Sequence, residues 1–137
     1  MFWRTNFTQS WFIGNYFKTE YDLSGNLSEN KISSEEVSIK TLECLKNCVP
    51  NEVPGIAFLS GGQSEIEATE NLNLINKNNN TNFLMTYSYG RALQHSALKV
   101  WSKDIKNVEA TQTTFNHRAK MCTLAAQGKW SSELENK

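Results

Sequence analysis

Two short segments of this 137-residue chain place glycine, hydroxyl and cationic groups where a polypeptide can hold an anion. The first is Ser60-Gly61-Gly62-Gln63-Ser64, directly after an apolar run and directly before a helix-like one. Glycines let the backbone come close to a ligand, and the free N–H groups at a helix start turn partial positive charge toward it. The second is Ser88-Tyr89-Gly90-Arg91, again between strand-like and helix-like residues. Its arginine offers a planar fork suited to phosphate oxygens. An arginine in the first turn of a helix opposes the macrodipole unless an anion lies nearby, so Arg91 asks for a partner. The competing reading is that Gly61, Gly62 and Gly90 only relieve tight strand-to-helix turns.

From Ser33 onward the elements needed to present these turns alternate as a βα repeat. Ser33 and Ser34 precede Glu35 and Glu36, a capping side chain followed by acids at the positive end of a helix. Val37, Thr41, Leu45 and Cys48 then recur at helical spacing until Pro50 and Pro54 stop the helix. Gly55-Ile56-Ala57-Phe58-Leu59 lacks clean alternation, as expected of a parallel strand buried on both faces. A helix follows Gly62, with Ala68, Leu72 and Ile75 facing inward. Lys77-Asn78-Asn79-Asn80-Thr81-Asn82 reads as a solvated loop, Phe83–Tyr87 as a strand, and Arg91–Trp101 as a helix. A last helix is expected from about Asp104 to Ala126, burying Val108, Phe115, Ala119 and Cys122. Before Ser33, Trp11–Phe17 reads as a strand and Thr19–Asn30 as loop.

Composition narrows the partners. Fourteen Lys and Arg against fourteen Asp and Glu give no net charge, which argues against a nucleic-acid binder. The longest apolar run, Gly55–Leu59, is far too short to cross a bilayer, and residues 1–10 lack a signal-peptide core, so the expected compartment is the cytosol. Cys44 and Cys48 lie one helical turn apart with no second metal-spaced pair, and with Cys122 they read as reduced packing residues. His95 and His117 read as surface or satisfied packing residues, and no metal or cofactor is expected. Trp3, Trp11, Trp101 and Trp130 are too scattered to form a stacking platform.

Longer segments around the two turns are similar to the class I fructose-bisphosphate aldolases. The likeness runs from Val53-Pro54-Gly55-Ile56-Ala57-Phe58-Leu59-Ser60-Gly61-Gly62-Gln63-Ser64-Glu65 through Ala68, Asn71-Leu72-Asn73 and Ile75-Asn76-Lys77. It continues in Ser88-Tyr89-Gly90-Arg91-Ala92-Leu93-Gln94, Ser96-Ala97-Leu98-Lys99 and Gln127-Gly128-Lys129, covering residues 33–130. It implies an α/β fold holding the last three βα units of a (β/α)₈ TIM barrel, with residues 1–10 an unassigned leader and 11–137 the partial barrel. It also implies a cytosolic, homotetrameric glycolytic lyase that cleaves fructose 1,6-bisphosphate to dihydroxyacetone phosphate and glyceraldehyde 3-phosphate without metal. Substrate phosphate would meet Ser60, Gly61, Gly62, Ser88 and Arg91, with Gly90 shaping the second turn.

The family's covalent catalyst is a lysine in a Glu-Gly-Thr-Leu-Leu-Lys-Pro-Asn segment. Extending the register from Ser33 lays Gly14 and Lys18 on that glycine and lysine, and Gly25 on a glycine downstream. Lys18 would be the Schiff-base nucleophile, an amine that must be unprotonated to attack a ketone. Ile13 replaces the family's Glu, Asn15-Tyr16-Phe17 its Thr-Leu-Leu, and Thr19-Glu20 its Pro-Asn. The family's acid/base carboxylates come from strands one to five, and this sequence begins just before strand six, so the chain alone is expected to be inactive. A three-strand arc would also leave two strand edges unpaired and an inner face uncovered. The alternative to an enzyme segment is a non-catalytic aldolase-derived product that docks on aldolase subunits or only binds sugar phosphate.

Overall fold

The computed structural model describes residues 11–13, 16–24 and 32–136. Gly14 and Gly25, on which the extended register also rests, lie outside them, as do residues 1–10. Strands β1 (Trp11–Ile13), β2 (Tyr16–Thr19), β3 (Gly55–Phe58) and β4 (Leu84–Tyr87) form a sheet in the order β1-β2-β3-β4. The three later strands are parallel, joined by helices α1 (Ser34–Cys48) and α2 (Glu65–Asn78). Helices α3 (Arg91–Trp101) and α4 (Val108–Ala126) follow, then a short 3-10 helix, Ser132–Asn136. The single strand expected over Trp11–Phe17 is instead two, because β1 folds back antiparallel on β2 with Phe12 opposite Phe17. The β2 edge that a bare arc would expose is therefore paired.

Parallel register divides the sheet into two chemically different faces. Phe17, Ile56 and Met85 lie side by side, and with Phe58 all are buried under the helices. The alternate row, Lys18, Ala57 and Thr86, points to the opposite face, where Tyr16 and Leu84 are 46% and 68% exposed. Gly55 lies beneath the Tyr16 ring, and a Cβ there would collide with it. A strand run apolar on both sides thus has one face packed and one open, the arrangement expected of barrel strands whose inner face is uncovered.

Local signals set the helix limits. Ser33 caps α1 by accepting from the Glu36 amide at 3.2 Å, and Val37, Thr41 and Leu45 are buried as the spacing predicts. Cys48 is exposed at the helix end rather than packed, and all three cysteines are free. Ser64 and Glu67 form a reciprocal capping box on α2, which buries Ala68, Leu72 and Ile75 completely. Asn79 braces the following loop, accepting from the Thr81 amide at 2.9 Å and donating to the Phe83 carbonyl at 2.9 Å. Helix α4 starts later than expected because Asp104 closes a turn on the Lys106 amide at 2.9 Å. Val108 is exposed and Phe115 and Ala119 only half-buried, whereas Arg118, Met121, Cys122 and Ala125 form the buried side. Gly128, at φ 67°, ends α4 in a left-handed turn, its amide donating to the Ala125 carbonyl at 2.9 Å and that of Lys129 to Leu124 at 2.8 Å.

The C-terminal residues are fastened by an ion pair that sequence reading did not single out. Arg118 donates to both Glu135 oxygens at 2.8 Å and to the Thr69 hydroxyl at 3.0 Å, and the Trp130 indole donates to Glu135 at 2.7 Å. Burial pushes the Glu135 carboxyl upward, but these donors outweigh it and hold the pKa below its ordinary 4.5. A depressed carboxyl contributes stability that is complete above the ordinary value and is lost as the pH falls through the folded one. Arg118→Met should therefore cost about 1–2 kcal/mol in urea denaturation at neutral pH, since it removes the main partner of a half-buried carboxylate that keeps the Trp130 indole. The gap from the parent chain should narrow as the pH falls below the ordinary carboxylate value and Glu135 protonates; a loss that stays constant with pH would assign the effect to packing.

Candidate functional site

The ladder that aligns the strands also aligns their C-terminal ends. Beyond the paired residues Thr19, Phe58 and Tyr87, the Leu59 amide donates to Thr19 at 2.8 Å and the Ser88 amide to Phe58 at 2.7 Å. Ser60 and Ser88 consequently leave adjacent strands on the same edge of the sheet. Gly62 takes φ 73°, a conformation that side chains resist, and the Ser64 cap then opens α2. The Gly62 requirement is thus conformational, whereas Gly90 has φ −93° and a Cβ there would meet nothing within 4 Å. What Gly90 contributes is open space before the α3 amides.

The start of α3 differs from those of α1 and α2. Both earlier helices carry a serine cap and two acids in the first turn; α3 has Gly90 as cap, no side-chain cap bond, no acid, and Arg91 as its first residue. No acid of its own offsets the positive charge of its first turn, and Arg91 adds to it. The two helix starts are tied together by Glu65, whose carboxylate accepts from the Ser96 amide at 3.0 Å and from the Ser96 hydroxyl. Between them lies a cleft of about 440 Å³ lined by Ser60, Gly62, Gln63, Ser64, Arg91 and His95, and also by Glu65, whose carboxylate is engaged by Ser96.

The structure therefore brings Ser60, Gly62 and Arg91 to one cleft. Gly61, Ser88 and Gly90 flank it without lining it, and Lys18 sits one strand away, half-buried on the open face beside Ala57. Among the described residues the Lys18 ammonium has no ion-pair partner. His95, read as a surface or satisfied packing residue, is exposed and also lines the cleft one helical turn after Arg91, a spacing visible in the sequence. His117 lies 3.6 Å from Glu135, away from it. Among the described residues no three His, Cys, Asp or Glu side chains gather as metal ligands.

Two buried tyrosines hold the second turn. Tyr89 donates to the Ala68 carbonyl of α2 at 2.8 Å and shares a short hydrogen bond with the Tyr21 hydroxyl. Tyr21 stacks on Phe58 with ring centroids 4.4 Å apart. Burial pushes both phenols upward, which keeps them protonated and able to donate.

Parallel strands with helices packed on one face, and glycine-bearing turns at the carboxyl ends of neighbouring strands, define an α/β protein built on a parallel sheet. Comparison gives the family. The description "Glycolytic: Fructose-bisphosphate aldolase class-I" matches residues 6–137, and the chain belongs to that family. It is 46% identical over 125 residues to fructose-bisphosphate aldolase 2, chloroplastic, of Arabidopsis thaliana, covering 91% of this chain and 31% of the relative. It is 44% identical over 121 residues to fructose-bisphosphate aldolase 2 of Caenorhabditis elegans, covering 88% and 33%. The solved Plasmodium falciparum aldolase, in complex with TRAP and a small-molecule inhibitor, superposes with a TM-score of 0.81 at 38% identity over 85% of this chain and 34% of that one. The chain thus spans about a third of the length of the curated relatives it matches.

Gly62→Ala should cost about 1–2 kcal/mol in thermal or urea unfolding because it forces a Cβ into left-handed backbone, and Gly62→Asn should recover part of that loss. Equal losses for the two variants would mean that space, not backbone angle, demands glycine.

Proposed function

We propose that this chain supplies the Schiff-base lysine and one phosphate site of a class I fructose-bisphosphate aldolase, as the last three βα units of its barrel. The observation that carries the reading is the cleft shared by Ser60, Gly62 and Arg91, with Lys18 on the adjoining strand at the same end of the sheet. In this reading Ser60, Gly61 and Gly62 offer amides and a hydroxyl to a phosphate of the sugar. Ser88 and Arg91 bind the same group from the second turn, and Gly90 leaves room for it to approach.

The uncharged Lys18 amine adds to the ketone carbon of the substrate, and loss of water gives a protonated imine. That cation accepts the electron pair released when the neighbouring carbon–carbon bond breaks, while a base removes the proton from the hydroxyl on the departing aldehyde. The residues here bind, orient and form the imine; the proton-transfer carboxylates are the part that the family draws from strands one to five. The open row of Tyr16 and Leu84 is accordingly read as barrel interior that those strands cover. The three free cysteines suit the cytosolic setting proposed for the enzyme.

The same exposed face also supports a second reading, a non-catalytic product that docks against aldolase subunits or only binds sugar phosphate. Borohydride reduction in the presence of dihydroxyacetone phosphate separates the two. Labelling that disappears in Lys18→Met supports the Schiff-base role, and labelling that survives it refutes that role. In calorimetry with fructose 1,6-bisphosphate, Arg91→Ala should weaken binding about tenfold, the worth of one charge-assisted contact. Unchanged affinity would remove Arg91 from the phosphate site.

A further inference from the structure

One carboxylate already stands on the anion-binding turn. The Gly61 amide donates to Glu20 Oε2 at 3.0 Å. The whole carboxylate lies against the turn, since a Cβ on Gly61 would fall 2.9 Å from Oε1 and 3.2 Å from both Cδ and Oε2. Gly61 is therefore constrained by what approaches it, whereas its neighbour Gly62 is constrained by backbone angle.

The backbone on either side of Glu20 is held while its side chain is free to leave. Thr19 closes the β2 ladder, Tyr21 is buried against Phe58 and Tyr89, and the Asp22 amide donates to the Thr41 hydroxyl at 3.1 Å. Glu20 itself is exposed and has no ion-pair partner among the described residues. Its bond to Gly61 spans 41 positions of sequence, so the sheet register, not local chain geometry, delivers it to the turn.

We propose that Glu20 is an affinity-setting residue of the phosphate site, an internal anion that occupies the Gly61 amide in the free protein and must be displaced when a phosphate binds. A dianionic ligand must break the Glu20–Gly61 bond and then tolerate the carboxylate at short range. Both effects weaken binding, and a residue of the same shape without charge would remove the second. The site then discriminates for ligands anchored elsewhere as well, such as a bisphosphate that also reaches Lys18, over a small free anion.

The inference rests on the phosphate-site reading above, and the test keeps the two apart. Calorimetry of the full chain with inorganic phosphate and with fructose 1,6-bisphosphate is run on the parent, Glu20→Gln and Glu20→Ala. Glu52→Gln serves as control, because Glu52 is exposed and precedes β3 at the opposite end of the sheet. Both Glu20 variants should bind inorganic phosphate about three- to tenfold more tightly, with the gain shrinking as salt rises, while Glu52→Gln matches the parent. Measurable binding that is unchanged or weakened in both Glu20 variants overturns the inference and leaves the phosphate site standing. No binding by any variant overturns both. Equal tightening by Glu52→Gln would overturn it too, by assigning the effect to net charge.

Discussion

The parallel register of β2, β3 and β4 is the constraint on which the rest depends. Because Thr19, Phe58 and Tyr87 end in line, the residues that follow them must leave the sheet together. A shift of one residue would turn Phe17, Ile56 and Met85 out of the core and Lys18, Ala57 and Thr86 into it. The same alignment puts Ser60 and Ser88 on one edge, delivers Glu20 to Gly61, and brings Tyr21 to Tyr89. Site and core are two consequences of one ladder.

The helices divide the electrostatic work unequally. Helices α1 and α2 neutralise their own starts with serine caps and acids, and Glu65 goes further by bonding across to Ser96. Helix α3 does neither, and its positive end faces the cleft with Arg91 added. One turn further along α2, at Thr69, the pattern reverses. There the buried Arg118 guanidinium meets a half-buried Glu135, with Thr69 and Trp130 adding further hydrogen bonds, which fastens this segment rather than preparing a ligand site.

Much of the framework was legible because its signals are local. Ser33 as a cap, Pro50 and Pro54 as breakers, and the inward stripe of Ala68, Leu72 and Ile75 all act within a few residues of themselves. The failures are non-local. Val108 has the right spacing to be buried, yet at the first turn of α4 it stays exposed. The folding of β1 onto β2 depends on pairing that alternation alone does not reveal. His95 could have been found from its spacing to Arg91, but that it lines a cleft depends on α2 standing opposite.

By itself the sequence determined the alternation of helices and strands from Ser33 onward, the position of the two glycine turns, and the family, because capping, chain breaking and motif identity are properties of adjacent residues. Only the tertiary structure decided that Ser60, Gly62 and Arg91 share one cleft, that Lys18 lies on the open face of the sheet, and that Glu20 reaches Gly61. These pairings join residues tens of positions apart, and their distances are set by sheet register and helix packing, which no short stretch of chain encodes.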